Sequence, residues 1–138
     1  MTTHADQIRS YFDACSSGSG EAVAMHFTPD AVIYDTNHSP IAGSAAIGEF
    51  WSQIHGKWSG AKWIVERVIE TDDSAAIEWV MEGEDSGQPF HIRGSEHYEF
   101  KEHLIAEIRQ YWTFDANSPG GGLIKYPYGK PDRLGFDG

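Results

Sequence analysis

The sequence is poor in cysteine, in basic residues and in long hydrophobic runs, and each shortage excludes a class of protein. Cys15 is the only cysteine among 138 residues, so the chain cannot form an intrachain disulfide framework. Ten Lys and Arg residues stand against 21 Asp and Glu, and the formal net charge is −11. That charge argues against nucleic-acid binding, where cations must neutralise phosphates, and against an anionic membrane surface. No stretch approaches the ~18 apolar residues of a membrane-spanning helix.

The N-terminus also lacks a basic segment followed by an apolar run, so no signal peptide is evident and we expect a cytoplasmic protein. Aromatic residues, in contrast, are abundant, with five Trp, six Tyr and seven Phe. Aromatic side chains bury large areas, which allows a sizeable apolar interior or pocket. We therefore expect a hydrophobic small-molecule ligand, with no nucleic-acid or membrane partner.

Hydrophobic spacing predicts three helices in the first part of the chain. A short second helix is expected from an N-cap at Ser19 to about Phe27, a strand follows at 31–35, and the third helix starts at Ser44. The first helix has four residues on one apolar face, namely Ile8, Tyr11, Phe12 and Cys15.

After the third helix the periodicity becomes alternating, which predicts strands joined by short turns. These strands are expected over 62–72, 74–85, 90–100 and 104–114. Helices followed by paired strands indicate an α+β fold, with three N-terminal helices packed on a curved antiparallel sheet. We expect a single domain over 1–114 and a Gly/Pro-rich tail over 115–138.

Polar residues interrupt three apolar faces. Glu96 lies in the middle of the apolar face of strand 90–100; it is either a functional acid, whose pKa burial would raise, or a residue paired within the core or at a wet sheet end. Gln110 shares a face with Ile108 and Trp112, where its amide bonds either a ligand or a core network. Tyr11 fits a core tyrosine with a bonded hydroxyl.

Asp35 stands where the predicted strand 31–35 should end. It is either a residue that closes the strand before a turn or a base aimed into a pocket. We assign the neighbouring Asn37, His38 and Pro40 to the turn.

Neither a metal nor a cofactor is expected. The seven histidines show no HxH or HExxH spacing, and "SGSG" lacks the GxGxxG fingerprint of dinucleotide sites.

Four segments carry a resemblance to a known family: "IRSYFDACSSGSGEAVAMHFTPDAVIYD", "IAGSAAIGEFW", "GQPFHIRGSEHYEF" and "IRQYW". Together they resemble the nuclear transport factor 2-like superfamily, in its SnoaL-like and ketosteroid isomerase-like branch. The resemblance implies a cystatin-like fold in which the strongly curved sheet forms a cone-shaped pocket. It also implies a homodimer formed through the outer sheet face, without a cofactor or metal.

The same resemblance implies roles for three residues. Tyr11 falls at the position of an oxyanion-hole tyrosine, Asp35 at that of a proton-shuttling aspartate, and Glu96 at that of a protonated acid sharing the oxyanion hole. In that family the apolar site keeps the carboxyl group of this acid neutral. Gln110 departs from the family, whose steroid enzymes tend to be apolar there. The hydrophobic pocket is then expected to be walled by Phe12, Phe27, Trp51, Trp79, Tyr98 and Trp112.

Three functions stay open at this point. The leading one is a ketosteroid isomerase-like enzyme that transfers a proton next to a carbonyl. The second is a SnoaL-like polyketide cyclase, dehydratase or epoxide hydrolase, and the third is a non-catalytic small-molecule binder or dimerisation module. For the tail we expect either a lid over the pocket or a strap along the surface or a dimer partner.

Overall fold

The fold is taken from a computed structural model of the chain. It describes residues 3–57, 60–85, 87–113, 122–128 and 130.

Helix α1, His4–Ser17, begins and ends at well-formed caps. The Thr3 hydroxyl accepts from the backbone N–H of Asp6, and the Asp6 carboxylate accepts from the backbone N–H of Thr3, which completes a capping box. Gly18 ends the helix at a φ of 80°, a left-handed conformation that glycine adopts without steric cost. The predicted apolar face is confirmed, because its members are all buried: Ile8, Tyr11, Phe12 and Cys15.

Helices α2, Gly20–Ala24, and α3, Ser44–Lys57, cross at close range. A Cβ atom on Gly48 would lie 2.3 Å from the carbonyl oxygen of Gly20, so only glycine permits this approach. The predicted N-cap at Ser19 is confirmed. The predicted end of α2 near residue 27 is wrong, since the helix stops at Ala24, Met25 and His26 form a turn, and strand β1 begins at Phe27.

Six strands form one curved sheet in the order β2-β1-β6-β5-β4-β3. They are β1 Phe27–Tyr34, β2 Ile41–Ala42, β3 Lys62–Glu70, β4 Ser74–Asp85, β5 Gln88–Lys101 and β6 Leu104–Trp112. The neighbouring pairs are antiparallel except β1 and β6, which run parallel. The α+β fold with three helices on a curved sheet is therefore confirmed, with one parallel pairing and a short strand β2 that the sequence pattern did not predict.

The inner face of the sheet forms the core together with the helices. Alternation along β4 buries Ile77, Trp79 and Met81, and alternation along β5 buries Glu96 and Tyr98, as the pattern predicts. None of the helices in the described part of the chain combines the length and apolar character that crossing a membrane requires.

The outer face carries charge pairs and the described part of the tail. Arg93 pairs with Glu66, and its guanidinium carbon lies 4.0 Å from the ring centroid of Tyr128. The backbone N–H of Leu123 donates to the Tyr128 hydroxyl over 2.9 Å. Tyr128 thus lies against Arg93, on the sheet face opposite the buried one. The remainder of the predicted lid or strap, 115–121, 129 and 131–138, lies outside the described residues.

Candidate active site

A cavity of about 190 Å³ lies between α3 and the inner face of the sheet. Its apolar wall is built by one phenylalanine, four tryptophans and two aliphatic residues: Phe50, Trp51, Trp63, Trp79, Trp112, Ile54 and Met81. Its polar members are few, namely Asp35, His38, Glu96 and Gln110. An apolar concave site with a small number of polar groups is the usual form of a small-molecule site.

Asp35 is held at the cavity wall by three hydrogen-bond donors. Oδ2 accepts from Nε2 of Gln110 over 2.6 Å and from the indole Nε1 of Trp112 over 2.8 Å. Oδ1 accepts from the backbone N–H of Asn37 over 2.7 Å. The parallel pairing of Tyr34 with Arg109 brings the end of β1 beside these β6 residues. The side chain is 1% exposed, and three donors form an environment complementary to a carboxylate.

Glu96 lies directly across the β5–β6 ladder from Gln110 and is 4% exposed. Burial raises the pKa of its carboxyl from the ordinary 4.5 to about 8; the Tyr98 hydrogen bond works against this shift, and the negative charge of Asp35 adds to it. The Tyr98 hydroxyl donates to Oε1. Since Oε1 is already an acceptor, the acid proton belongs on Oε2. With a pKa of about 8, Glu96 is mostly protonated at pH 7.

Tyr11 lies in the core and is not among the residues of the cavity wall. It is 1% exposed, and its ring packs edge-on against Phe27 at 5.1 Å. Its hydroxyl makes no hydrogen bond of normal geometry among the described residues, and its polar neighbours are the side chains of Cys15 and Trp51. Burial raises the pKa of that hydroxyl, with contributions from Cys15 and Glu96. The hydroxyl bonded to Glu96 is instead that of Tyr98, so the structure does not join Tyr11 and Glu96 in one hydrogen-bonded pair.

The residues predicted to contact the substrate, which are the six wall residues and Gln110, divide into two groups. Four of them line the cavity: Trp51, Trp79, Gln110 and Trp112. Phe12, Phe27 and Tyr98 do not, and the prediction needs correction at these positions. Phe12 and Phe27 pack against the ring of Tyr11 instead, at 5.6 and 5.1 Å. Tyr98 lies two positions along β5 from Glu96 and stacks on Phe100 at 6.0 Å.

Comparison with known proteins identifies the family of the chain. A model of the SnoaL-like domain matches residues 8–108. The chain belongs to this SnoaL-like domain family. No curated protein matches the chain.

Several solved structures have the same fold as this SnoaL-like chain. A protein of unknown function with a cystatin-like fold from Methylobium petroleophilum PM1 is 27% identical, with 81% of this chain and 76% of that chain covered and a TM-score of 0.71. A protein assigned as a SnoaL-like polyketide cyclase from Jannaschia sp. CCS1 is 13% identical, with 78% and 83% covered and a TM-score of 0.68. SalBIII, an epoxide hydrolase/cyclase-like enzyme in pyran ring formation in the polyether salinomycin, is 18% identical, with 80% and 90% covered and a TM-score of 0.69. The last two share the fold with this chain.

Sequence reasoning missed one polar residue of the SnoaL-like cavity. His38 lines the wall, with Nε2 3.6 Å from Oδ2 of Asp35 and its ring 5.2 Å from that of Phe50. Nδ1 lies 2.9 Å from the carbonyl oxygen of Ser39, which can only accept, so Nδ1 carries a proton. The signal was its position three residues after Asp35, because a tight turn folds such a residue back.

No three His, Cys, Asp or Glu side chains of the described ranges come together in a way that could hold a metal ion. The chemistry available to this SnoaL-like cavity from the described side chains is acid–base chemistry, supplied by two carboxyl groups in different surroundings.

Proposed function

We propose that this SnoaL-like protein is an enzyme that moves a proton next to the carbonyl group of a hydrophobic small molecule. The observation that supports this most is the pair Asp35 and Glu96. Both line one apolar cavity, yet Asp35 is surrounded by donors suited to a carboxylate while burial keeps Glu96 protonated. Two titratable groups with such different environments are suited to the roles of base and acid.

In this proposal Asp35 is the general base. It removes a proton from the carbon next to the carbonyl, and the electron pair of the broken C–H bond moves to the carbonyl oxygen as an enolate. Asp35 then returns the proton to another carbon of the same substrate, so the reaction is an isomerisation. Gln110 and Trp112 hold Asp35 in place and take no proton themselves.

Glu96 donates its proton in a hydrogen bond to the enolate oxygen. An uncharged donor in an apolar site stabilises that developing charge far better than water does. Tyr11, the second donor that the resemblance implies, does not line the cavity, so Glu96 is the donor proposed for the enolate oxygen. Trp51, Trp79 and Trp112 supply flat apolar surfaces for the substrate.

The second candidate is ring closure or epoxide opening, which the fold neighbours assigned as a cyclase and as an epoxide hydrolase/cyclase-like enzyme favour. There Glu96 protonates a carbonyl or ring oxygen, and Asp35 takes a proton from a carbon or from an attacking hydroxyl or water. Both reactions use the same acid and base. A non-catalytic binder is the third candidate, and it differs because it needs neither group.

The test replaces Asp35 with Asn and measures product formation on a panel of enones, polyketide mimics and epoxides. We expect a loss of ~10²–10⁴-fold in turnover, because a positioned base contributes about that much. Binding of a substituted phenol, which mimics an enolate, should persist and should depend on the acidity of the phenol. Asp73→Asn, the same chemical change at an exposed turn residue, is the control. Full turnover by Asp35→Asn would contradict the proposal.

A homodimer formed through the outer sheet face is also proposed. Its support is the exposure of large apolar side chains on the outer face of the sheet, with Ile69 57% and Tyr111 52% exposed. Sedimentation equilibrium should give twice the chain mass, and a monomer at all concentrations would contradict it.

A further inference from the structure

The cavity has negative charge and lacks a lysine or arginine to balance it. Of the described residues that line it, Asp35 and Glu96 are acids and His38 is the single basic side chain. Asp35 is bonded to neutral donors, and Nε2 of His38 lies 3.6 Å from Oδ2, which makes an ion pair only when the imidazole is protonated. Buried charges in proteins are normally paired with an opposite charge. The cavity is thus electrostatically suited to a cation.

The walls of the cavity are suited to an organic cation rather than a hydrated metal ion. Four indole rings line it in two edge-to-face pairs. Trp51 and Trp63 have centroids 5.0 Å apart at 83°, and Trp79 and Trp112 have centroids 6.1 Å apart at 65°. The indole face is the best aromatic partner for an alkylated ammonium group, and the attraction is larger when the cation is desolvated.

One hydrogen-bond acceptor in the cavity wall has no partner. Gln110 is 7% exposed, and its Nε2 is committed to Asp35, which fixes Oε1 as the free end of the amide. Among the described residues, Oε1 meets no donor. A buried acceptor left in this state costs free energy, so a ligand that brings an N–H to it gains that contact in addition to its charge.

We propose that the cavity binds a small tertiary alkylammonium ion, with its alkyl groups against the indoles of Trp51, Trp79 and Trp112 and its N–H donated to Oε1 of Gln110 beside Asp35. The volume of about 190 Å³ suits such a compact ligand. This ligand class goes beyond the proposed reaction on a neutral carbonyl compound, and its test is a binding measurement that needs no turnover.

The test uses three probes that share a hydroxyethyl arm. N,N-dimethylethanolammonium has both the charge and an N–H, choline has the charge alone, and 3,3-dimethylbutan-1-ol is the uncharged isostere of choline. Titration calorimetry at pH 7 and constant ionic strength should rank the affinities in that order. We expect a step of at least about tenfold between choline and the alcohol. Equal binding of those two probes would overturn the proposal, and equal binding of the two ammonium ions would overturn the contact with Gln110.

Variants then assign the effect to residues. Asp35→Asn should weaken both ammonium ions about tenfold or more and leave the alcohol unchanged. Trp79→Leu should weaken the ammonium ions, and Trp79→Phe, which keeps an aromatic face and guards against a folding defect, should restore part of the loss. Met25→Ala, which removes a large apolar side chain that is 77% exposed, is the control and should leave ammonium binding unchanged. Unchanged ammonium binding in Asp35→Asn and Trp79→Leu would contradict the proposal.

Discussion

Two glutamates three residues apart on β5 show what the two faces of the sheet do to the same side chain. Glu96 points inward and is 4% exposed, and burial raises the pKa of its carboxyl to about 8. Glu99 points outward with a side chain 41% exposed. A hydrogen bond from the Ser74 hydroxyl and another from Arg109 lower the pKa of Glu99. The shifts are opposite because one carboxyl has lost water and the other has gained donors.

The two faces of the sheet also differ in the partners that they give to carboxyl groups. On the outer face Arg109 pairs with both Glu99 and Glu107, and Arg93 pairs with Glu66, so the carboxylates there have cationic partners. On the inner face Glu96 has a tyrosine hydroxyl and a nearby carboxylate instead. Strand alternation alone thus places the carboxylate of a solvated ion pair and a protonated acid on opposite faces of one strand.

The largest expected effect comes from removing the acid of the inner face. In Glu96→Gln the free energy of unfolding should lose a pH dependence that the native protein has. The unfolded chain releases this proton near pH 4.5 and the folded chain only near pH 8, so native stability falls as pH rises between these values. The rise in pKa corresponds to about 5 kcal/mol at ~1.4 kcal/mol per pH unit. Urea unfolding from pH 4 to 9 measures the difference.

The glutamine keeps an oxygen that can accept from Tyr98, so the comparison isolates the charge. Below pH 4.5 the native protein and Glu96→Gln should depend on pH alike, and above pH 8 their difference should be constant. Parallel curves across the whole range would show that Glu96 ionises normally in the folded protein.

A smaller effect is expected at Gly94 on the inner face, where there is no space for a larger side chain. A Cβ atom on Gly94 would lie 2.6 Å from Cζ2 of Trp79 and 2.8 Å from Cβ of Trp112. Gly94→Ala should therefore lower the free energy of unfolding by about 1–3 kcal/mol, because both indoles must shift. Thermal unfolding measures the loss, and tryptophan fluorescence should change with it. Gly56→Ala, at an α3 position where a Cβ meets nothing within 4 Å, is the control and should not destabilise the protein.

The smallest effect is expected on the outer face. Glu99→Gln removes an ion pair with Arg109 whose side chains are 41% and 35% exposed. Water and salt screen such a pair, so the change should stay within about 1 kcal/mol and shrink further in high salt. A loss as large as that of Gly94→Ala would mean that the two faces differ less than the structure indicates.

Local periodicity was enough to predict the inner faces of β4 and β5, the apolar stripe of α1 and the position of Glu96 among apolar neighbours. Family resemblance singled out Asp35. Neither could supply the parallel pairing of β1 with β6, which brings Gln110 and Trp112 to Asp35 across 75 and 77 residues of sequence. Such long-range pairing depends on which strands lie side by side in the folded sheet. No local sequence pattern predicts that.

Two further contacts were not predicted from the sequence, for related reasons. Tyr98 was expected at the pocket wall, yet its hydroxyl is the partner of Glu96, because residues two apart on a strand share a face. His38 was assigned to the turn, and the turn is what carries its ring back to Asp35 and Phe50. In both cases the side-chain direction, rather than the element, decided the role.

The most direct test of the central claim is the pKa of Glu96 itself, followed through its side-chain carboxyl carbon by NMR between pH 4 and 10. We expect a midpoint near 8. We also expect a lower midpoint in Asp35→Asn, where the neighbouring negative charge is gone. A midpoint at or below 4.5, unchanged in Asp35→Asn, would contradict the neutral acid on which the proposed chemistry depends.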